Sequence, residues 1–446
     1  MSDCGPAAAG DSHGAERRTA PRTLRAMEPQ RTSLPGRRSA EGIRAGAAPE
    51  APTASAVGAA ERPSIAGSVD LFPVLAGDAH LNHAGVAPLP APVAAAMRRV
   101  VDAWSTDGPQ PWGYVAIDRL RRLAAELLGV ASDEVAIVPN TSTGLAIVAA
   151  GLALGAGDVV VTTGVEFPAN RYAWEHRIQD GLALTIVPPG PDGLFVDDDA
   201  VVEAMRRDFP GRRTRLLAIS HVQFASGQRH DIARLAAAAH ELGGLICLDA
   251  IQSIGAIDVR CGAWEVDFAA ADGHKWMLGP EGTGILVVRR AHLERLRPPL
   301  VGCMSTASPL DYDRYDARLH PSARRYEPGC HSIVGIAGLA AALELLLGER
   351  IDRVEPQVLR RAAEIAEALR GAGHRVLSRG HDGDGDRGSG IVAAAPREGG
   401  PPEALLARLR SAGIHGVVRR GLLRLSPHFY NTLEQVERVR EALARG

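Results

Sequence analysis

Lys275 is the only lysine in this chain; the other 49 of its 50 Lys+Arg residues are arginines. For charge, solubility and surface ion pairs the two types are largely exchangeable, so a bias that spared one position points to chemistry that arginine cannot perform. A desolvated lysine amine can lose its proton and attack a carbonyl to form a Schiff base, whereas a guanidinium stays protonated and is not a nucleophile. Two other segments carry chemistry of a related kind. Asp249 ends the apolar run Leu245-Ile246-Cys247-Leu248, and Pro139-Asn140-Thr141-Ser142-Thr143-Gly144 follows another apolar run and opens a helix.

These residues need a scaffold, and the pattern around them supplies one. Glu134 to Val138, Asp158 to Thr162, Leu182 to Val187, Arg215 to Ser220, Gly244 to Asp249, Asp267 to Ala271 and Gly284 to Val288 read as buried strands. Helical segments such as Ile232 to Leu242 lie between several of them. Alternation at this spacing predicts a mostly parallel sheet covered on both faces, an α/β large domain over residues 67–348 that includes the N-terminal segment. Beyond Gly348 the pattern changes to a long helix from Ile351 to Arg370, strands near Val376 and Ile391, a helix near Leu405, and strands at Gly416 to Arg419 and Leu422 to Ser426. A last helix opens at Thr432 with a capping box to Gln435. Residues 349–446 are therefore expected to form a smaller α+β C-terminal domain.

Ligands of an open parallel sheet gather at the carboxyl ends of its strands, and all three chemical segments fall there. Hydroxyl residues and free N–H groups at a helix N-terminus make a phosphate site; Thr141 or Ser142 could equally serve as a plain N-cap. Asp249 either caps the next helix or holds a pyridine nitrogen protonated, which turns the ring into an electron sink. A phosphate cradle, a carboxylate and a lone lysine in this order are what a pyridoxal phosphate enzyme requires.

Composition narrows the class. With 446 residues, 46% of them hydrophobic, and a formal net charge of −2, the chain is long enough for two domains and shows no basic excess for nucleic acid or an anionic membrane. Cys4, Cys247, Cys261, Cys303 and Cys330 have no CxxC spacing and are odd in number, which argues against a disulfide framework or zinc site and fits a reducing cytoplasm. The most apolar stretch, Ile333 to Leu347, is interrupted by Glu344 and is shorter than the ~20 residues of a membrane span. Residues 1–66, rich in Ala, Gly, Pro, Ser and Arg, read as a disordered tail. Asp3, Asp11, Glu16, Glu28 and Glu41 argue against a transit peptide, and no secretory signal is present. Asp382, Asp384 and Asp386 in the loop from Gly380 to Gly390 imitate a calcium loop, but Ala393 stands where its glutamate is required, so a flexible hairpin connection is expected. No metal site is expected, and no G-x-G-x-x-G follows the first strand.

Ala270-Ala271-Asp272-Gly273-His274-Lys275-Trp276, followed by Gly279-Pro280-Glu281-Gly282-Thr283-Gly284 and preceded by Leu248-Asp249-Ala250-Ile251-Gln252-Ser253, resembles the class V aminotransferases of pyridoxal phosphate fold type I. That family includes cysteine desulfurases, selenocysteine lyases, kynureninase and isopenicillin N epimerase. The resemblance runs from about Leu81 to the C-terminus. It implies that Lys275 carries the cofactor as a Schiff base, Asp249 pairs with the pyridinium, Gln252 contacts the ring hydroxyl, and Thr141, Ser142 and His274 hold the phosphate. Phe167, in Glu166-Phe167-Pro168-Ala169-Asn170, would stack on the ring; the alternative is a buried core phenylalanine. Arg424 matches the arginine that clamps the substrate α-carboxylate; otherwise an arginine on a strand is a solvated face residue. Asn82 and His83, in a segment like the one that folds over the active site, are either substrate contacts or packing residues. Cys330, in Glu327-Pro328-Gly329-Cys330-His331-Ser332, stands where relatives have a threonine that reaches the phosphate of the partner subunit in a dimer; the other reading is an inert buried cysteine.

Departures from the family bear on the reaction. Cysteine desulfurases carry a nucleophilic cysteine on a loop shortly before the position of Arg424, whereas Arg419-Arg420-Gly421-Leu422-Leu423-Arg424 closes that loop to a tight turn without one. The expectation is a cytoplasmic homodimer with shared active sites, taking a free L-α-amino acid as a lyase. Cα deprotonation by Lys275 would precede loss of sulfur, halide or a similar group from the β or γ carbon. Transamination and epimerisation are the alternatives, and a non-catalytic cofactor-binding protein is the alternative from another class.

Overall fold

The computed structural model describes residues 64–108, 112–381 and 388–445. The greater part of the proposed N-terminal tail and the three aspartates of the apparent calcium loop lie outside the described residues. Ser64 and Ile65, which the sequence reading assigned to the tail, reach back to Glu349: the Ser64 hydroxyl donates to Oε1 at 2.6 Å and the Ile65 N–H to Oε2 at 3.2 Å.

A short strand Ala79–His80 (β1) leads into helices Ala91–Thr106 (α1) and Trp112–Leu128 (α2). Then follow Val135–Val138 (β2), Thr141–Gly151 (α3), Asp158–Thr163 (β3), Pro168–Glu175 (α4), Ala183–Val187 (β4), Asp198–Arg206 (α5) and Arg213–Ser220 (β5). Ile232–Glu241 (α6), Leu245–Asp249 (β6), Phe268–Asp272 (β7) and Gly284–Val288 (β8) complete the large sheet. Its seven strands run in the order β2-β8-β7-β6-β5-β3-β4. The neighbours from β7 to β4 are parallel, and β8 is antiparallel to both β2 and β7.

Continuous apolar runs form these strands because both faces are covered. Successive side chains point to opposite faces, and the core divides accordingly. Leu217, Ile219, Ile246, Leu248, Ala269 and Ala271 pack on one side; Leu216, Ala218, Leu245, Cys247, Phe268 and Ala270 pack on the other. The alanines of β7 are small for a reason visible at α3: a Cβ on Gly144 would fall 2.8 Å from that of Ala270. Small residues on both elements bring the start of α3 close to the strand that precedes Lys275.

Helix Ile333–Glu349 (α7) packs across α1 and α2, and Ile351–Gly371 (α8) follows it. Strands Arg375–Val376 (β9) and Val392–Ala395 (β10), helix Pro402–Ser411 (α9), strands Ile414–His415 (β11), Val417–Arg419 (β12) and Leu422–Leu425 (β13), and helix Leu433–Ala444 (α10) end the chain. Four of these strands make an antiparallel sheet in the order β12-β13-β10-β9. Leu423 and Leu425 turn into the core beneath α8, α9 and α10, so period two turns Arg424 to the other face. The expected capping box is present, with Thr432 and Gln435 satisfying each other's backbone. A pairing that sequence patterning did not anticipate ties the start of the chain to its end: β1 runs parallel to β11, and Asn82 bridges to Ser426.

One buried ion pair anchors the loop that carries Cys330. Glu327 accepts from Arg121, from the Ile137 N–H at 2.9 Å and from His331 Nε2 at 2.6 Å. Burial by itself raises a carboxyl, but the bonds from Arg121 and His331 outweigh it and hold Glu327 down to about 2. Breaking one half of a buried pair strands the other charge. Glu327→Gln should therefore lower stability by about 3–5 kcal/mol in denaturant unfolding, and adding Arg121→Met should recover most of that loss.

Candidate active site

The carboxyl ends of β5, β6 and β7 meet at one edge of the large sheet, where Ser220 pairs with Asp249 in register. Asp249 is buried and accepts the Ile251 N–H at 3.1 Å through Oδ1. It thus caps a turn and not a helix. Burial raises its pKa well above the carboxylate range; the Ile251 N–H opposes this, and the nearby Glu166 charge adds to it. Lys275 lies three residues beyond β7, part-buried, and desolvation lowers its amine from the usual lysine range against the pull of Asp249. The structure thus brings the lone amine and a proton-retaining carboxyl into one electrostatic field.

Glu166 is the hub behind them. Its Oε1 accepts from Thr163 Oγ1 at 2.9 Å, the Ser220 N–H at 3.2 Å and Gln223 Nε2 at 2.7 Å; its Oε2 accepts from Asn170 Nδ2 at 2.8 Å and Ser220 Oγ at 2.5 Å. The sequence reading singled out Phe167 and passed over this neighbour. Glu166 and Asn170, spaced i,i+4 around the start of α4, were the available signal. Phe167 itself is 41% exposed, so it is no core residue. Its ring centroid lies 5.7 Å from Lys275 Nζ and 5.3 Å, edge-on, from that of Phe224.

Arg424 is 1% exposed, not a solvated face residue. Its Nη1 donates to the Phe224 carbonyl at 2.7 Å and its Nη2 to Asn82 Oδ1 at 3.3 Å, while Nε has no partner. No carboxylate pairs with it among the described residues. Burial and then the charge of Arg419 push its pKa down, yet a guanidinium starts so high that it keeps its proton. A buried, unpaired cation is costly, and a bound carboxylate would relieve that cost.

At the phosphate end, Asn140 caps α3: its Oδ1 accepts from the Thr143 N–H at 2.8 Å and Thr143 Oγ1 at 3.0 Å. Neither Thr141 nor Ser142 is the cap. As the first two residues of the helix, their N–H groups have no intrahelical acceptor, and the Ser142 side chain is exposed. The Thr141 hydroxyl accepts the Asp272 N–H at 2.9 Å, tying α3 to the end of β7. His274 Nδ1 lies 3.0 Å from Asp272 Oδ2.

Other expected residues have more structural surroundings. Gln252 donates through Nε2 to the Ala84 carbonyl at 3.1 Å and accepts from Trp276 Nε1 at 2.9 Å, so both ends of its amide hold the scaffold around Lys275. His83 is fully buried, with Nδ1 2.9 Å from the Ser426 carbonyl and Nε2 2.5 Å from the Tyr430 hydroxyl; of its two readings, the structure favours packing. Asn82 sits against Arg424. Cys330 is exposed, not buried, on the rim of a cavity of about 310 Å³ whose lining includes Thr143, Thr283 and Glu327 but neither Lys275 nor Asp249. The Thr283 hydroxyl, buried there, has no hydrogen-bond partner. Among the described residues no cluster of His, Cys, Asp and Glu fits a metal ion, and no helix is long and apolar enough to cross a membrane.

Comparison with known proteins places this geometry. A probable cysteine desulfurase of Methanothermobacter thermautotrophicus is 28% identical over 394 residues, covering 83% of this chain and 95% of that protein. The kynureninase of Bacillus anthracis is 29% identical over 267 residues, 58% of this chain and 60% of its own length. The apo structure of a cysteine desulfurase from Thermococcus onnurineus superposes with a TM-score of 0.74 at 25% identity, over 84% of this chain and 96% of that one. A cystine C-S lyase bound to its product cysteine persulfide gives 0.76 at 24% identity over 84% and 99%, a likeness of fold. The class-V aminotransferase model matches residues 81–439, and the chain belongs to that family.

Proposed function

We propose that this protein is a pyridoxal 5'-phosphate-dependent lyase acting on a free L-α-amino acid. The observation that carries the reading is Arg424: a buried guanidinium that has no carboxylate partner among the described residues and whose charge is felt at Lys275. The site fits the cofactor at both ends. Free N–H groups at the start of α3 suit a phosphate, and a buried carboxyl of raised proton affinity suits a pyridine nitrogen. Thr141, Ser142 and His274 would hold the phosphate, Asp249 the ring nitrogen, Phe167 the ring face, and Lys275 the aldehyde carbon. Bound there, pyridoxal phosphate supplies an electron sink for negative charge developing at Cα.

The rest of the work falls to the chain. Arg424, steadied by the Phe224 carbonyl and Asn82, clamps the α-carboxylate and orients the Cα–H bond. Lys275 Nζ, a free amine once the substrate amine has taken its place and with its pKa lowered by desolvation, would take the Cα proton. Departure of sulfur, halide or a similar group from Cβ or Cγ completes the lyase reading. The turn before Arg424 supports direct release: Arg420-Gly421 joins β12 to β13 with two residues and no cysteine to accept sulfur.

The reading extends to assembly. Leu300, Val301, Tyr312 and Tyr315 are each more than half exposed, large side chains that a second copy of the chain could cover. Cys330, on its exposed loop, would contribute to the partner's site in such a homodimer. The four cysteines among the described residues are all free, which suits a reducing cytoplasm.

Three measurements test the site. Borohydride reduction of the holoenzyme should add pyridoxyl phosphate to the peptide containing Lys275; labelling at the only other amine, the N-terminus, or no labelling, would falsify the assignment. Arg424→Ala should keep the visible spectrum while amino-acid kcat/KM falls by an amount equivalent to about 2–5 kcal/mol, the loss of a charge-assisted bidentate contact. The third concerns pH. Because burial raises the Asp249 pKa to about 7, its contribution to apo-protein stability is full below its unfolded value near 4 and is lost as pH rises toward about 7. Asp249→Asn should flatten the fall in apo-protein melting temperature across that window.

A further inference from the structure

Two arginines at the mouth of the site have no acidic partner among the described residues, and the turn that presents them is strained. Arg420 and Gly421 have φ of +47° and +73°, the two-residue hairpin turn in which asparagine or aspartate and glycine are the usual pair. An arginine in the left-handed region persists where its surroundings hold it, and such residues cluster at ligand clamps. Here the surroundings are specific. The Arg420 guanidinium carbon lies 5.8 Å from the centroid of the Phe224 ring, and its Nη2 donates to the Gly164 carbonyl at 3.4 Å.

Phe224 in turn meets Phe167 edge-on, and Phe167 flanks Lys275 Nζ. A continuous path therefore leads from the amine past two aromatic rings to a guanidinium. Arg419, exposed, precedes Arg420 on the same hairpin, and its charge is felt at both Lys275 and Arg424. A substrate fixed with its carboxylate on Arg424 and its Cα at Lys275 must send its side chain away from both. An aromatic wall ending in two cations that have no acidic partner among the described residues offers little to a neutral terminus. It offers a charge-assisted contact to an anion.

We propose that the Arg419-Arg420 turn reads a second negative charge at the far end of the substrate side chain, so that the site prefers acidic α-amino acids: a sulfinate is turned over with loss of SO2, the C–S bonding pair staying on Cβ and taking a proton, while a side-chain carboxylate such as that of aspartate is bound as an analogue with no group to lose. The inference rests on the proposed function and adds the substrate class. It assigns Arg419 and Arg420 to specificity, with the chemistry left to Lys275.

L-aspartate and L-asparagine have nearly the same shape and differ in charge, so they isolate the effect. Each is titrated into the holoenzyme while its visible absorbance is followed. Wild-type protein should bind aspartate about tenfold more tightly than asparagine, the order expected of two contacts near solvent. With Arg419→Gln and Arg420→Gly together, the ratio should fall close to one. Arg420→Gly suits the backbone of the turn, so thermal unfolding should show a fold at least as stable as wild type; Arg419→Gln, at an exposed position, provides a second, independent variant. L-cysteine sulfinate against L-cysteine should show the same preference in kcat/KM. A wild-type ratio near one, or a tenfold ratio surviving in the double variant, overturns the inference while leaving the lyase reading intact. If neither amino acid alters the spectrum and neither cysteine nor its sulfinate is turned over, the lyase reading falls, and this inference with it.

Discussion

The arrangement turns on one electrostatic constraint: Arg424 is kept charged and almost fully buried at a point where, among the described residues, no side-chain carboxylate meets it. A guanidinium in a medium of low dielectric loses much of its hydration energy, and two neutral oxygens, the Phe224 carbonyl and Asn82 Oδ1, offset only part of that loss. The fold tolerates the cost because β13 is held from both sides, paired with β10 and β12 and backed by the core under α8, α9 and α10. Strand alternation leaves Arg424 no other direction to point.

The opposite end of the charge balance is set in the large sheet. Asp249 and Glu166 are acidic groups near one another in buried surroundings, and only Glu166 is surrounded by donors. Five hydrogen bonds occupy both oxygens of Glu166. Asp249, with one backbone donor, is left with a high proton affinity. Their surroundings thus differ: Glu166 is surrounded by donors, whereas Asp249 is the carboxyl whose proton affinity burial raises. Desolvation likewise lowers the amine of Lys275 from the usual lysine range.

Much of the scaffold was legible because its signals are local. The seven strands of the large sheet appear in the sequence as short apolar runs, each within two residues of its observed limits, since burial on both faces requires apolar residues throughout. The capping box at Thr432 and the tight turn at Arg420-Gly421 are likewise written in a few adjacent letters. Lys275 and Asp249 could be picked out by chemistry that no other residue type supplies. The cap of α3 was misplaced by one or two residues, because Asn140, Thr141 and Ser142 are all good caps and only the helix start decides between them.

The rest belongs to tertiary structure. His83, Gln252, Cys330 and Glu327 carry no local sign of whether they face a ligand, a core or solvent. Their surroundings come from chain segments far away: His83 meets residues 343 and 347 positions distant, Arg424 meets Phe224 across 200 and Asn82 across 342. The sequence alone determined the family resemblance, the strand and helix order, and the residue equipped for covalent chemistry, all of which depend on residue type and short spacing. Which polar groups are satisfied by the protein and which are left for a ligand was decided only by the folded chain, because hydrogen-bond completion is a property of surroundings that no single segment contains.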